Sequence, residues 1–402
     1  MKATPCQATL MRSDGRHVVP FTTYVVKVVS RCNLNCSYCY MYNLQDQTYR
    51  NQPRSMSLET ARVMAHRIKS HVQRHGLNRA DLILHGGEPL LMGMRAMSQW
   101  LEVVRRELEP DVHPSLSMQS NGVLVDEDWI NFLADSGVRI GISFDGPQHY
   151  HDAFRKYHSG RGSYDDVRRA LVLLRSHPRG CEIFSTVLAV PNLNIDPDEF
   201  WTHFKQLGVY AADISLPHAN HAHPPPGGRW SYRDWLIRLF DLWFYDNESH
   251  GFRYFENIIR TVCGYPISTD NIGGRPVGVL VVETNGDYEG TDALKCTVEG
   301  MTKLGRNVFH HEIDDIFQID LVRFLQQADV PVCSTCLNCA AYEGCGGGYL
   351  PHRYHSHDDG FLNEGFLNPS VYCDALYGLV EHVYNRLRQH LVVRSGAECF
   401  AQ

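Results

Sequence analysis

Residues 24–40, Tyr-Val-Val-Lys-Val-Val-Ser-Arg-Cys-Asn-Leu-Asn-Cys-Ser-Tyr-Cys-Tyr, join a short β-branched run to a cluster of thiols. Val25, Val26, Val28 and Val29 predict a strand over 24–29. The chain leaves that strand through Cys32, Cys36 and Cys39, with no fourth cysteine nearby. A structural zinc site asks for a fourth Cys or His close by. A four-iron cluster is normally held by four thiolates, so a loop with three implies that one iron is completed by something outside the chain.

Outward from this loop the strand signal returns at 81–85, 116–119, 138–144, 183–190 and 212–216. Stretches of helical length and polarity lie between, such as 58–76 and 163–177. Strands that alternate with helices predict a parallel sheet. The fold class expected is α/β, an open, partial (βα)6 version of the TIM barrel, whose working groups sit on loops after the strand C-termini. The cysteine loop follows the first strand, where such a fold keeps its chemistry. At 217–230 the Pro- and Gly-rich stretch PHANHAHPPPGGRW breaks the rhythm. An aromatic-rich helix (SYRDWLIRLFDLWF) follows it. The expected organisation is a core barrel over 1–225, a helical linker region over 226–275 and a cysteine-rich domain over 276–402.

The chain has 402 residues, 43% hydrophobic and 21% charged, enough to bury a large core. A net charge of −7 with scattered Lys and Arg offers no basic field, so nucleic acid is not expected as a partner. The first twenty residues hold no apolar signal region and no run of eighteen apolar residues occurs, so no membrane association and a cytoplasmic location are expected. Thirteen cysteines, an odd number, are better read there as metal ligands than as disulfides.

Cys32, Cys36, Tyr38 and Cys39 together resemble the signature of the radical S-adenosylmethionine (SAM) superfamily. That resemblance implies a four-iron cluster on the three thiolates, completed by S-adenosylmethionine, which it cleaves to a 5′-deoxyadenosyl radical. Gly86-Gly87-Glu88-Pro89 after the second strand is similar to the superfamily's GGEP loop, which receives the SAM amino group. Ser120 in Gln119-Ser120-Asn121-Gly122, Ser143 in Ser143-Phe144-Asp145-Gly146-Pro147, and Arg155 resemble its ribose- and carboxylate-holding segments. Arg suits a carboxylate because its planar fork binds it bidentately.

Near the other end, Cys333-Ser-Thr-Cys336-Leu-Asn-Cys339-Ala-Ala-Tyr-Glu-Gly-Cys345-Gly-Gly-Gly-Tyr349 resembles the SPASM extension of radical peptide maturases. The resemblance implies a C-terminal SPASM/twitch-like domain in which Cys336, Cys339, Cys345 and Cys373 hold one auxiliary four-iron cluster. Tyr349 and Thr291 stand where the family has cysteines for a second, so one auxiliary cluster is expected. A second rebuilt from Cys263, Cys296 and Cys333 is the lesser alternative. Cys6, Cys181 and Cys399 read as packing or surface thiols, and a zinc ribbon is the plain alternative for the region.

A cluster fully ligated by cysteine suits electron transfer, which favours an oxidative reaction needing a base. Sulfatase maturases, also SPASM enzymes, use the Asp after the cysteine that is Thr291 here, which points to Asp292; Asp213, at the end of the sixth strand, is the second candidate. The segments at 30–43, 84–91, 213–219, 281–295, 345–354 and 368–373 resemble the cyclophane-forming peptide maturases of the FxsB type. That likeness implies a ribosomally synthesised precursor peptide whose β-carbon is crosslinked to an aromatic side chain, and a reductant such as flavodoxin or ferredoxin. The stretch before the first strand is too short for a leader-binding domain, so the peptide is expected to dock elsewhere. His218, His221 and His223, like His352, His355 and His357, read as solvated. Another radical modification (thioether formation, epimerisation, side-chain oxidation) is the alternative, and a zinc-stabilised binding protein the alternative of another class.

Overall fold

All six expected strands form: β1 (Thr23–Val29), β2 (Arg79–Gly86), β3 (His113–Ser120), β4 (Val138–Ser143), β5 (Phe184–Ala189) and β6 (Ala212–Ile214). The structure, a computed structural model, describes residues 10–11, 17–209, 211–248, 251–265, 267, 269–272, 274–327, 331–355 and 363–399. Cys6, His357 and the Cys399 side chain lie outside the described residues. The chain divides into two units, one of Met1–Val190, Leu216–His218 and Pro276–Val330, the other of Pro191–Ser215, Ala219–Arg275 and Pro331–Gln402.

In the first unit β1 to β5 pair in parallel in chain order, with Tyr24, Leu82, Leu116 and Val138 side by side across four strands. Helix α1 (Leu58–Arg74) starts on Ser57, whose side chain accepts from the Thr60 N–H and so satisfies one of the orphan donors of its first turn. It lays Ala61, Met64, Ala65, Ile68 and Val72 on the sheet, all fully buried, which is the 3.6-residue stripe of a core-facing helix. Helix α2 (Met94–Leu108) does the same with Met97, Trp100, Leu101, Val104 and Leu108.

The sheet also grows on the far side of β1, which the sequence reading placed elsewhere. Strand β7 (Val279–Val282) pairs in parallel with β1, and β8 (Asp287–Glu289) and β9 (Lys303–Asn307) follow antiparallel. Residues 276–330 thus group with the barrel strands and not with the C-terminal cysteines, as the 276–402 grouping had it. The cause is local: Val-Leu-Val-Val supplies an apolar strand, and Asn285-Gly286, with Gly286 at φ 88°, supplies the hairpin turn.

In the second unit α3 (Pro197–Gln206), α4 (Tyr232–Phe244), α5 (Arg253–Val262) and the C-terminal α6 (Cys373–Cys399) enclose an aromatic core of Phe200, Trp235, Phe240 and Phe255. Thr261 on α5 donates to the Gly344 carbonyl at 2.8 Å, tying that helix to the cysteine segment. Among the described residues no helix is long and apolar enough to cross a membrane.

Candidate active site

The three-thiol loop is anchored by the backbone of its neighbours. Asn35 donates to the Lys156 carbonyl at 2.7 Å and Ser37 to that of Phe154 at 3.1 Å. Beyond the end of β2, the N–H groups of Gly87 and Glu88 donate to the carbonyls of Val29 (2.8 Å) and Arg31 (3.0 Å). That approach needs glycine: a Cβ on Gly86 would stand 1.9 Å from the Val29 oxygen, and one on Gly87 2.0 Å from the Arg31 oxygen. Glu88 is wholly buried and accepts from Leu90 N (3.1 Å), Ser120 Oγ (2.9 Å) and Asn121 N (2.7 Å). Asn121 in turn donates to Asn33 Oδ1 at 2.7 Å and stands 3.7 Å from Cys32 Sγ. Gly86, Gly87, Glu88 and Ser120 therefore gather beside Cys32, with the Glu88 carboxylate acting as the pin between two loops.

On the opposite flank Arg155 donates to the Tyr38 hydroxyl (2.9 Å), which donates to Asp145 Oδ2 (2.6 Å). Arg155 Nε is buried and has no hydrogen-bond partner among the described residues. Ser143 accepts from Gln119 Nε2 at 2.9 Å. Burial pushes all three thiols up, Cys32 to about 12 with help from Glu88 and Cys39 to about 11 with help from Cys36. Buried thiols of this kind ionise when a metal takes the place of the proton. The donor set and the free guanidinium N–H fit a three-thiolate cluster with a carboxylate-bearing ligand beside it.

A second buried group lies among the ends of β1, β2 and the β8 hairpin. Lys27 is fully buried in β1, an anomaly in an apolar strand that demands partners. Its ammonium contacts Asp292 Oδ2 as an ion pair and His85 Nδ1 at 2.9 Å. Burial pushes the Asp292 carboxyl up, and Lys27, backed by Lys295, more than offsets this and holds it below the usual carboxylate range. Its other oxygen, Oδ1, is buried and, among the described residues, without a hydrogen-bond partner. Burial, reinforced by Lys27, takes His85 down to about 3, so its ring is neutral. His218 belongs here and not with the solvated histidines: it packs edge-on to Tyr40 at 4.6 Å, its Nδ1 is buried and unpartnered, and burial takes it down to about 4. His221 is tied to the Pro369 carbonyl at 2.8 Å.

Asp213 has a structural task. Its oxygens accept from Arg253 Nε (2.7 Å), Tyr254 N (2.9 Å) and Ile214 N (3.0 Å), which fastens β6 to the start of α5 and leaves no oxygen for a substrate proton. In the second unit Cys336, Cys339, Cys345 and Cys373 line one pocket. Burial and the neighbouring Cys333 push Cys336 up to about 12. Of the spare cysteines, Cys333 joins this group, its sulfur 3.6 Å from that of Cys336, while Cys263 is exposed and Cys296 is buried in the first unit. Cys181 is exposed.

Lys27, His85 and His218 were not among the expected site residues. A lysine at the centre of Tyr-Val-Val-Lys-Val-Val was the available signal for the first; the histidines had none, because burial and lost partners are properties of the fold.

Residues 26–207 match the family profile described as the Radical SAM superfamily. This chain resembles the radical SAM superfamily over that segment, just under half of its length. It is an enzyme, and the cofactors of a radical SAM enzyme are S-adenosylmethionine and a four-iron cluster. Among curated proteins it is similar to the cysteine-type anaerobic sulfatase-maturating enzyme of Clostridium perfringens (strain 13), 24% identical over 92% of this chain and 97% of that protein. It is also similar to the serine-type anaerobic sulfatase-maturating enzyme of Klebsiella pneumoniae, 29% identical over 85% of each. Among solved structures it resembles native anSMEcpe with bound AdoMet, with a TM-score of 0.76, 24% identity and coverage of 91% and 98%. Streptococcus suis SuiB bound to precursor peptide SuiA is a more distant likeness, with a TM-score of 0.54, 15% identity and coverage of 83% and 73%. At these identities the likeness to solved structures is one of fold. The radical SAM α/β fold with its parallel sheet and C-terminal extension is thereby shown.

Proposed function

We propose that this radical SAM enzyme matures a ribosomally made peptide or protein by an oxidation that removes two hydrogens. The observation that carries the reading is Asp292: one oxygen is held by a buried lysine, and the other is buried, ionised and unpartnered. A carboxylate kept for structure alone would have both oxygens paired. When bound at Cys32, Cys36 and Cys39, with Gly86, Gly87, Glu88, Ser120, Ser143 and Arg155 around it, the cofactor pair supplies a radical that takes hydrogen from an unactivated carbon. Asp292 Oδ1 then accepts the proton that must leave, while Lys27 keeps that oxygen's charge in place. Cys336, Cys339, Cys345 and Cys373 would hold an auxiliary cluster, which would supply an acceptor for the departing electron. One hydrogen atom, one proton and one electron sum to the two hydrogens lost.

In the form favoured by the motif resemblance, the carbon radical bonds to an aromatic ring and makes a cyclophane. A second reading, favoured by the cysteine-type and serine-type sulfatase-maturating relatives, is oxidation of a single side chain, serine directly to a carbonyl or cysteine to a thiocarbonyl that water then converts to the carbonyl with release of hydrogen sulfide. Reduction by flavodoxin or ferredoxin in the cytoplasm fits either. Coexpression with the short peptides encoded beside the gene is expected to yield one that is lighter by two hydrogens, or, where a cysteine has become a carbonyl, lighter by two hydrogens with its sulfur exchanged for oxygen. Resistance to hydrazide and missing backbone fragments between two residues mark the crosslink; a hydrazone marks the carbonyl. Unchanged peptide masses with 5′-deoxyadenosine still produced contradict the proposal.

Arg155 is assigned to the carboxylate of S-adenosylmethionine. A charged hydrogen bond contributes about 1.5–3 kcal/mol, so Arg155→Ala is expected to weaken S-adenosylmethionine binding about ten- to hundredfold in equilibrium dialysis, with iron content unchanged.

A further inference from the structure

Cys333, Cys336, Cys339, Cys345 and Cys373 make a group of five thiols in the second unit, where a four-iron cluster takes four thiolates. Cys333 sits just before the short helix Ser334–Leu337, and its carbonyl accepts from the N–H groups of Cys336 (3.0 Å) and Leu337 (3.2 Å). This turn brings the sulfurs of Cys333 and Cys336 to 3.6 Å. Two sulfurs on one tetrahedral metal with bonds of about 2.3 Å lie about 3.8 Å apart. Sulfurs on two different irons of a cubane lie much farther apart, because each bond points outward along its own diagonal. An iron of the cubane takes a single thiolate beside its three sulfides, so two sulfurs this close can serve the same iron only in turn. Cys336 is buried and Cys333 half-buried, so the two would present that iron with different solvent contact.

We propose that Cys333 is an alternative thiolate for the auxiliary iron that Cys336 holds, giving the site four ligand positions and five thiols. This rests on the reading of Cys336, Cys339, Cys345 and Cys373 as cluster ligands. In the exchange one iron–sulfur bond forms as another breaks, the proton released by the Cys333 thiol balances the one taken by Cys336, and no electron moves. Solvent exposure and hydrogen bonding at the sulfurs set cluster potentials, so the two ligand states differ in potential.

The test uses the full chain with Cys32, Cys36 and Cys39 changed to Ala, so that all iron is auxiliary. Iron and acid-labile sulfide are measured after anaerobic reconstitution, with the electron paramagnetic resonance spectrum of the reduced protein. Cys333→Ala and Cys336→Ala are each expected to retain about four irons, the latter with a shifted spectrum. The Cys333→Ala/Cys336→Ala double variant and Cys339→Ala are expected to lose them. Cys336→Ser, which leaves no cavity, is a second version of the single variant. In both, Cys333 is expected to resist alkylation until iron is chelated. Cys336→Ala and Cys336→Ser falling to the level of the double variant would overturn the proposal. So would a Cys333–Cys336 disulfide in the iron-loaded protein, the other outcome open to a Cys-x2-Cys pair. Absence of iron and sulfide in the parent background would instead sink the auxiliary-cluster reading itself.

Discussion

Protein with Cys32, Cys36 and Cys39 all changed to Ala is expected to produce no detectable 5′-deoxyadenosine when reduced with dithionite beside S-adenosylmethionine, whereas the native sequence produces it readily. Apart from the Leu34 N–H and Asn121 contacts to Cys32 Sγ, the loop is held by backbone bonds, since Asn35 and Ser37 are hydrogen-bonded to the backbone at Lys156 and Phe154, and Gly87 and Glu88 to Val29 and Arg31. The variant should therefore fold with a thermal midpoint close to the native one, and the loss should fall on the chemistry alone. Liquid chromatography with mass spectrometry reads the nucleoside directly. Continued 5′-deoxyadenosine formation at the native rate would show that these thiols do not hold the reacting cluster.

Asp292→Asn is expected to separate the two halves of the reaction. A positioned base contributes on the order of 10²–10⁴-fold, so modified peptide should fall by about that factor while 5′-deoxyadenosine continues to accumulate. The side chains are isosteric, but the change leaves Lys27 as a buried cation without its counter-charge, which costs about 3–5 kcal/mol. An Asp292→Asn/Lys27→Met double variant removes that imbalance; it should regain stability and still fail to make product. Asp213→Asn, which breaks the clamp on Arg253 and Tyr254, is expected to lower the thermal midpoint without uncoupling product from nucleoside. Native-rate product from Asp292→Asn would remove this residue from the mechanism.

The barrel strands were legible because each is a short β-branched run followed by helical spacing, and the thiol loop because its spacing is rigidly set by chemistry. The join of β7 to β1 was not, since 279–282 carries the same local signal whether it pairs with the barrel or with its own neighbours; only the pairing Tyr24 to Leu280 decides it. Asp292 and Asp213 were the first and second candidates for the base, with nothing in the sequence to show their surroundings. Their difference lies in partners: three donor groups take up every oxygen of Asp213, while Asp292 keeps one oxygen unpaired. His218 shared a stretch with His221 and His223, yet it alone of the three belongs to the first unit and packs on Tyr40. Position along the sequence gave these histidines one reading, and burial gave them separate ones.

The most direct test of two clusters on two cysteine sets is the iron and acid-labile sulfide content of anaerobically prepared protein. About eight irons and eight sulfides per chain are expected for one four-iron cluster on each set, falling to about four of each when Cys32, Cys36 and Cys39 are changed to Ala. Zinc without sulfide in the native protein would contradict the account.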